Sequence, residues 1–160
     1  MDILTPRGQE SRKWEDQAVE IWSSHHPNIS YVGTPKDAPA TVDAVLVKDK
    51  TIVGVVETKC RPSLSLCEFK ITHDMKWLVT ADKLDKAQKV ADALCVPFVG
   101  FLYLPTQQIL LYQALWKPQK GWMVPIERKN TKTQATINGG QIWRHNAYID
   151  MTSAKMITGA

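Results

Sequence analysis

The chain has 160 residues, a net charge of +4 and a pI near 9.0, with 44% hydrophobic and 22% charged residues. This is the make-up of one packed domain over residues 1–160. No apolar run approaches the roughly 20 residues needed to cross a bilayer, the first residues lack a signal-peptide apolar region, and the expectation is an intracellular, cytoplasmic protein of a bacterial or phage-infected cell without a membrane partner. Cys60, Cys67 and Cys95 are odd in number and show no C-x-x-C spacing, which argues against a disulfide framework and a zinc site. The basic balance favours a polyanionic partner.

In chain order, Trp14, Ala18, Ile21 and Trp22 recur at helical spacing and predict a helix over residues 11–24, with Ser11 as N-cap and a buried stripe. Glu15 lies at the edge of that stripe. His25 and His26, ahead of Pro27, read as capping or surface residues.

The stretch VDAVLVKDKTIVGVVETK follows and reads as a β-hairpin. Residues 43–47 and 52–59 are rich in valine and other strand formers, and Lys48, Asp49 and Lys50 supply the turn. In that register Asp43 lies opposite Glu57, and opposed residues on antiparallel strands have Cβ atoms roughly 4.5–5.5 Å apart. Alternation puts Val53, Val55, Glu57 and Lys59 on one face and Ile52, Gly54, Val56 and Thr58 on the other. Two carboxylates and a lysine therefore meet at one end of the hairpin. Such a pair suits a hard cation, Mg2+ or Mn2+, which takes only one or two carboxylates and keeps several waters. A metal-activated water is then the nucleophile for phosphodiester hydrolysis, with Lys59 orienting it or offsetting developing charge. The Thr58 carbonyl is an additional candidate ligand. A structural salt bridge between Glu57 and Lys59 is the plainer alternative.

Pro62 limits the strand and predicts a loop over residues 60–66 near the site, followed by a strand or short segment over residues 67–71. A helix beginning at Thr80 or Asp82 carries Leu84, Ala87, Val90, Ala91 and Leu94 at helical period and ends before Pro97. Residues 96–104 and 109–115 are apolar runs of strand length. Helix, hairpin, strand, helix, strand, strand is an α/β order in which helices pack on a sheet. From residue 117 to 132 the chain carries Lys117, Lys120, Arg128, Lys129 and Lys132 against Glu127, with Trp116 and Trp122 interleaved and Trp143 and Arg144 beyond. Basic residues beside aromatics suit phosphates and unpaired bases; tryptophans that finish the core, among solvated lysines, are the alternative.

Asp43 opening one strand and Glu57-Thr58-Lys59 ending the next resemble the PD-(D/E)xK nuclease superfamily, in its Holliday-junction-resolvase-like branch, over roughly residues 10–104. Val42 stands where that motif commonly has proline. The resemblance implies a restriction-endonuclease-like core, a central mixed β-sheet flanked by helices, over about residues 10–115, with a basic tryptophan-containing extension over about 116–160. It implies Asp43, Glu57 and Lys59 as catalytic residues and Glu15, on the first helix, as a further metal ligand beside Asp43, Glu57 and Thr58. It also makes Lys83 and Gln88, on the later helix, candidates for nucleic-acid contact with Lys120, Arg128, Lys129 and Lys132. The expected activity is that of a Mg2+-dependent deoxyribonuclease, an endonuclease in preference to an exonuclease and structure-specific as that branch suggests. DNA is the expected partner, with RNA not excluded, and a dimer the expected assembly. A nucleic-acid-binding protein that keeps the fold without cleaving is the competing reading.

Overall fold

A computed structural model describes residues 6–35, 40–133 and 142–159. Residues 134–141, inside the expected C-terminal extension, lie outside the described residues.

Helix α1 runs over Pro6–His25. It starts earlier than the Ser11 N-cap predicts, because a proline in the first helical turn has its φ already set and forgoes only an N–H that has no partner there. Strand β1 spans Ser30–Gly33, β2 Ala44–Lys48 and β3 Thr51–Cys60. Lys48 pairs with Thr51, leaving a two-residue turn in which Asp49 and Lys50 have φ of 51° and 64°. Two positive φ values make the turn whose twist matches the flanking strands. One expectation is overturned: a register shift between Leu46 and Val47 leaves Val53 on the α1 side, while Val55 joins the opposite core. A bulge adds one unpaired residue, so strict alternation fails across it.

Residues 67–71 are not a strand. Helix α2 covers Leu66–Ile71, with the Ser65 Oγ accepting from the Glu68 N–H at 3.1 Å. Strand β4 (Lys76–Thr80) leads directly into α3 (Ala81–Leu94), which ends on Cys95 in the left-handed region at φ 56°. Then come β5 (Phe98–Leu104), a single 3-10 turn at Pro105–Gln107, β6 (Ile109–Lys117), β7 (Gly121–Trp122), β8 (Ile126–Thr133), β9 (Ile142–Asp150) and β10 (Lys155–Thr158).

Among the described residues the central sheet has the order β1-β2-β3-β5-β6-β10, with β7 on β6. It is mixed: β3 and β5 are parallel and the other pairs antiparallel. The architecture is therefore an α/β fold with a central mixed sheet flanked by helices. Helix α1 covers one face through Ala18, Ile21 and Trp22, which pack with Ala44, Leu46, Val56 and Phe101. On the other face α3 inserts Leu84, Ala87 and Ala91 between Phe98, Leu102 and Leu115 of the central sheet and Trp77, Val79, Ala147 and Ile149 of a second sheet, β4-β9-β8. No described helix is long and apolar enough to cross a membrane.

Candidate active site

Ala44 pairs with Val56, so Asp43, one residue earlier, stands opposite Glu57. Its approach is fixed on both sides: the Asp43 N–H donates to the Val56 carbonyl at 2.9 Å, and the Thr34 N–H and hydroxyl donate to the Asp43 carbonyl at 2.8 and 2.9 Å. The carboxylate is aimed by the Thr58 N–H, which donates to Asp43 Oδ2 at 2.8 Å.

Glu57 is only 3% exposed. Two ammonium groups reach its Oε1, Lys83 at 3.2 Å and Lys59 at 3.8 Å. Lys59 follows Glu57 by two residues and shares its face. Lys83 arrives from the first turn of α3, because β4 hands over to that helix without a loop.

Burial first and the Asp43 charge second push the Glu57 carboxyl up to about 7, against the opposing pull of Lys83 and Lys59. Burial also lowers Lys59 below the ordinary lysine range against the pull of Glu57. Burial pulls Lys83 down as well, but Glu57 and Asp43 outweigh it and hold this lysine above its usual value.

Asp43 and Glu57 offer oxygen donors only, and their mutual repulsion is what a hard divalent cation relieves. The pair fits Mg2+ or Mn2+ on both counts. Among the described residues no three His, Cys, Asp or Glu side chains converge into a cation site, so the fit is with two carboxylates. Glu15 is held on the α1 side of the sheet. Its Oε1 accepts from the Tyr31 hydroxyl at 2.7 Å, and the same hydroxyl lies 3.0 Å from Thr58 Oγ1. Burial, then the Glu15 charge, raises the Tyr31 phenol far above its ordinary value, so it keeps its proton and stays a donor. Glu15 thus touches Tyr31, which touches the residue whose N–H aims Asp43.

The other sequence-derived residues are spread out. Gln88 is five residues along α3 from Lys83, or about 140° round the helix, and so is turned away from Glu57. Lys120 sits in the turn after β6, where its N–H donates to the Lys117 carbonyl. Lys117 lies four residues past Gln113, the residue level with Gly100 and Glu57, or about 13 Å further on. Arg128, Lys129 and Lys132 lie on β8. Arg128 is ion-paired with Asp85 of α3 at 3.0 Å and Lys129 with Glu127 at 3.4 Å. Trp116 and Trp122 stack edge to face and pack on the core, so for these two the core reading holds.

Tyr31 and Thr34 are the residues sequence reasoning missed. Their only local signal was a four-residue strand, Ser30–Gly33, too short to stand out beside the valine-rich hairpin.

No family model matches the chain, and no curated protein matches it. Among solved structures the chain is similar to the 1.6 Å structure of Archaeoglobus fulgidus Hjc, a Holliday junction resolvase from an archaeal hyperthermophile. The TM-score is 0.45 at 18% identity, and the match covers 65% of this chain and 74% of that one; a likeness this distant assigns neither an activity nor residues.

Proposed function

We propose that the chain is a divalent-cation-dependent nuclease that hydrolyses phosphodiester bonds in DNA. The observation that carries this reading is the facing pair Asp43 and Glu57 with two lysines, Lys59 and Lys83, on the buried glutamate. Asp43 and Glu57 would hold Mg2+ or Mn2+, with the Thr58 carbonyl as a further ligand. A cation bound there lowers the pKa of a water it carries and offsets the charge of the phosphate.

The chain's own residues do the rest. The Thr58 N–H holds the Asp43 carboxylate, and Tyr31 with Glu15 holds Thr58 from behind, which gives Glu15 a positioning role. Lys59 and Lys83 balance the charge of Glu57 and would present positive charge to the phosphate oxygens. Lys120, Arg128, Lys129 and Lys132 would meet phosphates further along the strand. Two sites would cut the two strands of a branched DNA, hence a dimer.

The ion pair of Lys83 with Glu57 favours a second reading, a nucleic-acid-binding protein whose site is already neutral without metal. Incubating the protein with labelled duplex, single-stranded, flap and four-way-junction DNA and with RNA separates the two. Cleavage is expected with Mg2+ or Mn2+ and not with Ca2+, whose preference for six to eight ligands in looser geometry leaves the water poorly placed. Calcium should still permit binding. Absence of cleavage on every substrate, together with no Mg2+, Mn2+ or Ca2+ binding by calorimetry, would refute the nuclease reading.

A further inference from the structure

The last pair between β4 and β9 is Thr80 with Asn146. Beyond it β8 and β9 continue as a two-stranded ribbon, pairing Asn130 with His145, Thr131 with Arg144 and Lys132 with Trp143. The ribbon continues past the point where β4 becomes α3, and Arg128 ties it through Asp85 at 3.0 Å to the helix that carries Lys83 to Glu57.

Trp143 is 67% exposed, and among the described residues it is the one exposed tryptophan, tyrosine or phenylalanine. The Lys132 ammonium lies 5.5 Å from its ring centroid, and on the other face of the same two strands Lys129 lies 4.7 Å from the ring of Tyr148. Residues 128–133 and 142–149 contain Arg128, Lys129, Lys132 and Arg144 and no acid. An open indole beside an ammonium matches a ligand with both a π-face and a negative charge. Bases inside a continuous duplex are stacked on one another and offer no such face, whereas unpaired nucleotides do.

We propose that this ribbon binds an unpaired nucleotide beside the scissile phosphate, the base stacking on Trp143 and its phosphate meeting Lys132, which shares the face of Trp143. The substrate class is then DNA with unpaired nucleotides, such as a gap, flap or branch, in preference to continuous duplex. The inference deepens the nuclease reading and rests on it for the scissile phosphate, but its test is binding.

Labelled continuous duplex, gapped duplex and single strand are titrated by fluorescence anisotropy, in Ca2+ and again in EDTA, with wild type, Trp143→Ala, Trp143→Phe and Lys132→Ala. Stacking of one base is worth about 1–3 kcal/mol, so Trp143→Ala should weaken gapped and single-stranded binding by about 5- to 150-fold and leave duplex binding unchanged. Trp143→Phe should recover most of the loss, and Lys132→Ala should weaken all three alike. Equal effects of Trp143→Ala on all three DNAs, no effect, or no binding by wild type overturns the inference. So does a change in sedimentation that makes Trp143 a protein contact. Wild type that binds in the expected pattern but neither cuts any substrate nor binds Mg2+, Mn2+ or Ca2+ removes the nuclease reading and leaves the ribbon inference standing.

Discussion

Replacing Glu57 with glutamine should make the protein more stable at alkaline pH while removing cleavage. Glu57 is buried, and its carboxyl is raised from an ordinary 4.5 to about 7, by burial first and Asp43 second. The folded state thus holds this proton more tightly than the unfolded chain. The favourable contribution is complete below pH 4.5 and is lost as pH rises through about 7. At about 1.4 kcal/mol for each tenfold change in proton affinity, the upper limit is about 3 kcal/mol. The lysines reduce this little when the charge is removed, because Lys83 is 45% exposed and a half-exposed ammonium regains water when it loses its partner. Urea denaturation of both proteins in EDTA, from about pH 5 to about pH 8.5, reads the difference. The two should match at the acid end and diverge through pH 7, with the variant gaining up to about 3 kcal/mol. Added Mg2+ should then stabilise wild type alone, by about 2.7 kcal/mol at a concentration 100 times Kd. Stability curves that stay parallel over the whole range would refute the buried, cation-relieved carboxylate.

Lys59→Ala should abolish cleavage with the melting temperature little changed, since Lys59 is partly exposed and only 3.8 Å from its partner; full activity in this variant would sink the mechanism. Glu15→Gln should cause a smaller loss than Asp43→Asn, because Glu15 acts through Tyr31 and Thr58; equal losses in single-turnover rates would contradict a positioning role. Gly100→Ala should cost about 1–3 kcal/mol in denaturant unfolding, because a Cβ there meets Trp77 Cζ3 at 2.7 Å and Leu115 Cδ1 at 2.8 Å; wild-type stability would show that β4 and β6 pack differently around Gly100. Neutralising Arg128, Lys129 and Lys132 together should weaken binding to all sequences alike. It should also lower the log-log salt slope on duplex DNA by up to about 2.7, at about 0.9 per phosphate contact, and an unchanged slope would return them to a solvated surface.

What the sequence alone determined is local. Two valine-rich runs around a turn at Lys48, Asp49 and Lys50 predict the β2–β3 hairpin, and a turn centred near Lys50 sets Asp43 opposite Glu57. The structure reaches the Asp43–Glu57 pairing by a different route, a two-residue turn at Asp49 and Lys50 followed by the bulge at Val53, since that turn alone would set Asp43 opposite Val56. Helix α3 and strands β5 and β6 were legible because each has its own period or apolar run. Helix α2 was not read from the sequence, which gives residues 67–71 as a strand or short segment; its Ser65 cap on the Glu68 N–H is a finding of the structure. Only the tertiary structure decided the rest. Strand β4 pairs with β9 some seventy residues later, a contact no window along the chain contains, and that pairing aims α3 so that Lys83 reaches Glu57. The bulge at Val53, the Tyr31 bridge and the placement of Glu15 on the α1 side depend on how the sheet's two faces are covered. Side chains at an active site converge from separate elements, so local pattern names the residues on one hairpin, and packing between elements selects their partners.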